Sequence, residues 1–417
     1  MKEKRPIGGR TWLRVVVVAV ALLSFAGISP VILRAQPKEV PFAVIQPLTG
    51  LVAFAGIPAK NGAELAVERI NTEGGIRSLG GAKLKALFYD TESKPEVGQT
   101  VAERAVKDGV VAMVGCAQAA VGMIIAKVCE RNKIPIVVDL GSGDFITESG
   151  LKYVFRVMPT NTQQTESELE FVANAGKKKG IEVQKVGVIY EDTAAGRDGY
   201  EVYKRLAPKF KLEVVSGLGF HPGTPDITPV VTKIKMANPD FILAYAWEKD
   251  SVLLIRTMHE QRYTPRGIMG KAFSDKFIAQ VGKLSEYLFG TAYFTPYADP
   301  PGVSKGRNLQ IRDEYEKKYG KFDQLSALTY TAVMVLKDAI ERARSTDPDK
   351  IHKALAETNM TGKDGYIQLV KRIQFDNKGQ SIYAHSLVSQ VRSGEHVVVW
   401  PEGSAQMEAV YPMPKWE

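Results

Sequence analysis

The sequence predicts an α/β fold built on parallel sheets. Three observations lead there. Short, β-branched apolar runs alternate with stretches that repeat apolar residues at helical spacing. The alternation occurs twice, in two consecutive series of similar length. Several of the strand-like runs end in turns of small residues, above all within 109–146, GVVAMVGCAQAAVGMIIAKVCERNKIPIVVDLGSGDFI. That stretch reads as strand, turn, helix, strand, turn, so its two strands lie parallel. Ligands of open parallel sheets bind outside the carboxyl ends of the strands. The turns 115–120 and 141–143 leave room there and expose backbone N–H groups at helix starts, which suit an anion.

Length and composition bound the rest. The chain has 417 residues, 45% of them hydrophobic, enough for two domains. Its formal charge is +9, and residues 1–35 carry +5 of it, leaving a mildly basic +4. Basic patches interleaved with aromatics are absent, which argues against nucleic-acid binding. A basic segment from Lys2 to Arg14, an apolar core from Val15 to Leu33 and Ala35 predict an export signal over 1–35. An uncleaved anchor is the alternative, since the apolar run is long enough to span a bilayer. The two cysteines, Cys116 and Cys129, sit at a strand end and on the helix after it. Roughly 20 Å of helix rise separates them, so two buried free thiols are expected rather than a disulfide.

In order, the first series has a strand over 40–46, a helix over 59–71 ended by Gly74 and Gly75, a strand over 83–89 and a helix over 95–107. The stretch 109–146 follows, then a short strand at 154–157. The second series has helices over 162–175, from after the turn 191–196 to Leu206, over 228–236 and over 250–261, with strands over 185–190, 212–217, 241–247 and 267–269. Beyond Leu288 come a strand-like 289–297, helices over 303–319, 325–344 and 348–356, and a hairpin or meander over 373–400.

Catalytic signatures are missing. His221, His259, His352, His385 and His396 are scattered without metal-ligand spacing. There is no His-Glu-x-x-His, Gly-x-Ser-x-Gly or Walker loop, and Ile146 stands at the third glycine of a dinucleotide fingerprint begun by Gly141 and Gly143. A binder is favoured over an enzyme, and no cofactor or metal is expected.

The stretches FAVIQPLTG, NGAELAVERINTEGG, VFRVMPTNTQQ, VGVIYEDTAAGRDGYE, DITPVVTKIKMANPDFILAYAW and FDNKGQS together resemble the branched-chain amino-acid-binding proteins of ABC importers, type I periplasmic binding proteins. The resemblance runs from about Val40 to Trp400. It implies two Rossmann-like lobes joined by a three-strand hinge, with crossovers near 156–160, 291–295 and 373–376. Lobe one would be 38–157 plus 293–373, and lobe two 158–291 plus 375–410. Ligand would bind between the lobes, hinge closure would bury it, and the closed form would dock on a membrane permease outside the inner membrane. A monomer is expected. A ligand-sensing protein of the same fold is the alternative, and an exported hydrolase a more distant one.

The resemblance also places candidate ligand contacts. The turn after the third strand, where the family has a serine, has Ala119 beside Gln118, a ligand contact or a solvated loop residue. Ser142 matches a family hydroxyl position, or serves as a helix N-cap, with Leu140 and Gly141 lending backbone. Phe54 could close over the ligand or pack on the next helix. Ala195 replaces a family aromatic. Trp247 matches another and forms a cleft wall or packs internally. Ala272 replaces the acid that pairs with the ligand's ammonium, and the neighbouring Lys271 has the wrong sign for that task. With Ala119, Ala195 and Ala272 a hydroxyl, a ring and a carboxylate are gone. The expected ligand is therefore a larger apolar or aromatic carboxylate, or an amide, rather than a standard α-amino acid.

Overall fold

The computed structural model describes residues 38–271 and 273–416, so the export-signal segment and Ala272 lie outside the described residues. The first series gives β1 (Glu39–Gln46), α1 (Ala53–Thr72), β2 (Lys83–Asp90), α2 (Pro95–Lys107), β3 (Met113–Gly115), α3 (Ala119–Asn132), β4 (Ile136–Val138), α4 (Phe145–Glu148) and β5 (Val154–Arg156). The strands form a five-stranded sheet in the order β2-β1-β3-β4-β5, parallel throughout. β1 shows why it is an interior strand. Val40, Phe42 and Val44 bury on one face, Ala43 and Ile45 on the other.

The second series gives α5 (Asn161–Asn174), β6 (Lys185–Glu191), α6 (Ala194–Leu206), β7 (Glu213–Phe220), α7 (Thr228–Ala237), β8 (Phe241–Tyr245), α8 (Glu248–Glu260), β9 (Ile268–Gly270), α9 (Asp275–Val281) and β10 (Phe289–Ala292). These strands join a second sheet, completed by a hairpin of β13 (Leu387–Arg392) and β14 (Glu395–Trp400). The order is β14-β13-β10-β9-β8-β6-β7, and only β13 runs against the other strands. Between β10 and the hairpin lie α10 (Arg307–Tyr319), α11 (Gln324–Ala343), α12 (Pro348–Ala356) and the short pair β11 (Asn359–Met360) and β12 (Ile373–Gln374).

α11 returns to the first sheet. Its Ala332, Val333, Leu336, Ala339 and Ile340 share a core with Phe42 and Val44 of β1 and with Ala63, Ala66 and Ile70 of α1. The two helices approach so closely that a Cβ on Gly62 would stand 2.2 Å from the Ser326 carbonyl oxygen. α2 and α3 cover the opposite face, through Ala102, Ala105, Val121 and Ile125. The second sheet is covered likewise, by α7, α8 and α9 on one face and by α5 and α6 on the other.

Three differences from the sequence expectation have physical causes. α1 begins at Ala53 rather than 59, because Pro58 is held inside the helix instead of starting it. The region 373–400 is not one meander: β12 pairs with β11, and only β13 and β14 form a hairpin. α9 went unread, since it is seven residues long with three buried apolar positions. Cys116 and Cys129 are free and buried, as expected. Among the described residues no helix is long and apolar enough to cross a membrane.

The chain passes between the sheets after β5, after β10 and between β12 and β13. Two of these passages are stitched together. The backbone N–H of Arg156 donates to the Gly379 carbonyl (2.8 Å), and that of Ser381 donates to the Arg156 carbonyl (3.0 Å). The Gln380 amide donates to the Met158 carbonyl (3.0 Å), and the Gln163 amide to the Ser381 carbonyl (2.9 Å).

Candidate functional site

The carboxyl ends of β3, β4, β6, β8, β9 and β10 and the start of α1 border one cleft of about 650 Å³. This is where open parallel sheets leave loops free to hold a ligand. From the first sheet's side Phe54, Ala117, Ala119, Leu140 and Ser142 line it; from the second come Glu191, Ala195, Tyr245, Trp247 and Lys271.

Each side chain is placed by its local structure. Gly56 in the first turn of α1 lies against the loop at Pro47, where a Cβ would sit 2.0 Å from the carbonyl oxygen. That approach sets Phe54 at the cleft mouth. Trp247 stands at the N-cap of α8, with its backbone N–H bonded to the Glu191 carboxyl (2.5 Å). The rings of Phe54 and Trp247 meet edge to face across the cleft, centroids 5.5 Å apart. The Ser142 hydroxyl does not cap α4. It meets the Tyr245 hydroxyl at 3.0 Å, which in turn donates to Asn161 (3.0 Å). Farther along the cleft Lys321 pairs with Asp275 at 2.9 Å.

Of the residues singled out from sequence, Phe54, Ala119, Leu140, Ser142, Ala195 and Trp247 line the cleft. Gln118 and Gly141 do not. The Gln118 side chain turns to the neighbouring loop and donates to the Ser93 carbonyl (3.4 Å). The Gly141 carbonyl accepts from Arg156 (3.1 Å). Ala272 is outside the described residues.

Arg156 is fully buried beneath the Ser142 turn. Its guanidinium donates to the carbonyls of Gly141 and Gly143 (2.7 Å), the Thr147 hydroxyl (2.7 Å) and the Gln380 side chain (2.6 Å). Burial lowers its pKa to about 10, against the pull of Asp144 and Asp198, so it remains a cation at neutral pH.

Lys271, at the end of β9, ties α5 to the cleft wall. Its ammonium bonds Gln164 (2.9 Å) and Glu168, and Glu168 also accepts from Thr291 (2.6 Å) and Tyr203. Tyr293 donates to the same Gln164 oxygen (2.8 Å). Burial lowers the Lys271 pKa, and Glu168 opposes the shift. Glu191 is the other ionisable group in the central wall. Burial, helped by the adjacent Asp250 and opposed by the Trp247 N–H, raises its pKa to about 8. Its charged form is therefore disfavoured.

Sequence reasoning missed Tyr245, Glu191 and Tyr293 as cleft residues. The first two sit at strand ends, so the strand-end rule could have found them. Gln164 and Glu168 carry no such signal. They lie i and i+4 on α5, and only the packing of that helix on the second sheet buries them. Among the described residues no cluster of three or more His, Cys, Asp or Glu could hold a metal ion.

A sequence profile of the periplasmic binding protein family matches residues 39–395. A Leu/Ile/Val-binding protein homologue of Brucella melitensis is 30% identical over 312 residues, 74% of this chain and 80% of that protein. The crystal structure of the leucine-binding protein LivK of Thermotoga maritima superposes with a TM-score of 0.74 at 25% identity, covering 86% of this chain and 97% of that one. A solute-binding protein of an ABC transporter from R. palustris, solved with benzoate, shares the fold: TM-score 0.72, 17% identity, coverage 89% and 98%. This chain belongs to the periplasmic binding protein family, as a ligand-binding protein of the type that serves branched-chain amino-acid ABC transporters.

Proposed function

We propose that the protein is the extracytoplasmic solute-binding subunit of an ABC importer and hands an apolar or aromatic carboxylate, or an amide, to a membrane permease. The single observation carrying this is the cleft between the carboxyl ends of the two sheets. Its lobes are 38–157 plus 293–373 and 158–291 plus 375–410, and rotation about the three passages closes them on the ligand. Residues 1–35 act as the export signal, the protein works as a monomer, and it catalyses no reaction.

The ligand class follows from the wall. Ala119 and Ala195 leave space, while Phe54, Trp247, Tyr293 and Phe294 give the cleft an aromatic lining. The backbone N–H groups at the start of α3 offer donors to an anionic or amide head group. The R. palustris relative, solved with benzoate, is consistent with an aromatic acid in this fold.

Mass spectrometry of ligand carried through native purification tests this, with small-angle scattering before and after adding the ligand found. An aromatic or apolar acid or amide, with a shrinking radius of gyration, is the expected result. Leucine or valine as the carried ligand would refute the ligand class. An unchanged radius would refute closure.

A further inference from the structure

We propose that Lys271 is the specificity-determining cation of the cleft: it binds the ligand's carboxylate directly and makes the protein select acids over their amides. The inference rests on the ligand class above and narrows it to anions. An ammonium has three N–H donors. Glu168 and Gln164 take two of those of Lys271, leaving one for the cleft that the residue lines. The side chain is 12% exposed, whereas Glu168 behind it is fully buried and does not reach the cleft surface.

Glu168 acts as a post rather than a ligand group. It accepts from Lys271, Thr291 and Tyr203 at once, so its charge is met on the side away from the cleft. Gln164, fixed by Tyr293, holds the ammonium from a second direction. A cation held this way loses little freedom on meeting an anion. Tyr245 marks where that anion sits. Its ring centroid lies 5.5 Å from the Lys271 ammonium, and its hydroxyl bonds Ser142 of the opposite wall at 3.0 Å. A carboxylate beside Tyr245 would meet the Lys271 ammonium there.

The other central carboxyl does not cancel this charge. Glu191 is occupied by the Trp247 N–H and lies next to Asp250, and burial pushes its pKa up, which disfavours its charged form. Glu248, nearer the rim, is bonded to Ser274 and Gln280. The half of the Lys271–Glu168 pair that faces the cleft is thus the ammonium, which suits a carboxylate better than a ligand ammonium.

The test compares benzoate and phenylacetate with benzamide and phenylacetamide by isothermal titration calorimetry. The proteins are wild type, Lys271→Arg and the double variant Lys271→Met/Glu168→Gln. The double variant leaves no orphaned buried charge, and far-UV circular dichroism verifies its fold. Wild type is expected to favour each acid over its amide by at least about tenfold, as hydrogen bonds to charged groups warrant. The double variant should lose that preference, with acids weakened by about tenfold and amides by clearly less, and Lys271→Arg should retain most of it. A double variant that keeps the preference, or weakens acids and amides alike, overturns the role of Lys271 alone. Wild type that binds leucine in preference to every acid and amide overturns the ligand class and this inference with it.

Discussion

Replacing Arg156 by methionine should cost about 3–5 kcal/mol of unfolding free energy. The figure comes from its surroundings. The guanidinium is fully buried and serves four acceptors: the carbonyls of Gly141 and Gly143, the Thr147 hydroxyl and the Gln380 side chain. A buried acceptor left without its donor costs about 1–3 kcal/mol. The Thr147 hydroxyl can rotate to another partner, so three acceptors decide the loss. Relief comes from no longer burying a charge, which offsets part of it. Arg156→Lys keeps the charge but offers three donors from one point, so it should lose about 1–3 kcal/mol. Urea unfolding followed by circular dichroism, with midpoint and slope both fitted, measures each variant. A methionine variant within about 1 kcal/mol of wild type would refute the claim that these bonds anchor the Ser142 turn to the 379–381 passage.

Four further outcomes are expected. Glu191 has a folded pKa of about 8 against an ordinary 4.5, so it holds a proton that the unfolded chain releases between those values. Stability should fall as pH rises through that window, by at most about 1.4 kcal/mol per unit, and Glu191→Gln should flatten the fall in melting curves taken from pH 5 to 8.5. Gly62→Ala should cost about 1–3 kcal/mol in denaturant unfolding, because its Cβ would strike the Ser326 carbonyl of α11. Trp247→Ala should weaken binding of the carried ligand by roughly tenfold or more in calorimetry, since it removes half of the Phe54–Trp247 pair and a cleft wall. Cys116 and Cys129 should react with a thiol reagent only after unfolding: both are buried, and burial raises the Cys116 pKa to about 12 and that of Cys129 further.

Much of the architecture was legible because apolar spacing writes itself locally. α2, over Pro95–Lys107, opens on a proline at a first-turn position and closes beside Arg104 and Lys107, and its bounds were readable to the residue. α1 was readable only in part. Pro58 usually marks a helix start, and only the packing of α1 against the Pro47 loop and α11 carries the helix through it. The site divides in the same way. Ser142 and Trp247 follow strands and could be placed from sequence, whereas Gln118, at the N-cap of α3, turns its amide toward Ser93 for reasons set by the neighbouring loop. The pairing of Lys271 with Glu168 spans 103 positions and joins two elements with no shared sequence signal. Buried charge pairs of this kind are a product of topology and are read only from coordinates.

The return of α11 to the first sheet also bears on how the chain assembles. β1 through β5 are complete by residue 156, yet the helix that closes one of their faces ends at Ala343. Until that segment exists, Phe42 and Val44 of β1 and Ala66 and Ile70 of α1 have no α11 to pack against. At synthesis rates of about 5–20 residues per second the gap lasts roughly 10–40 s. The amino-terminal half thus emerges with its core one wall short, and its stable folding is deferred until nearly the whole chain has been made.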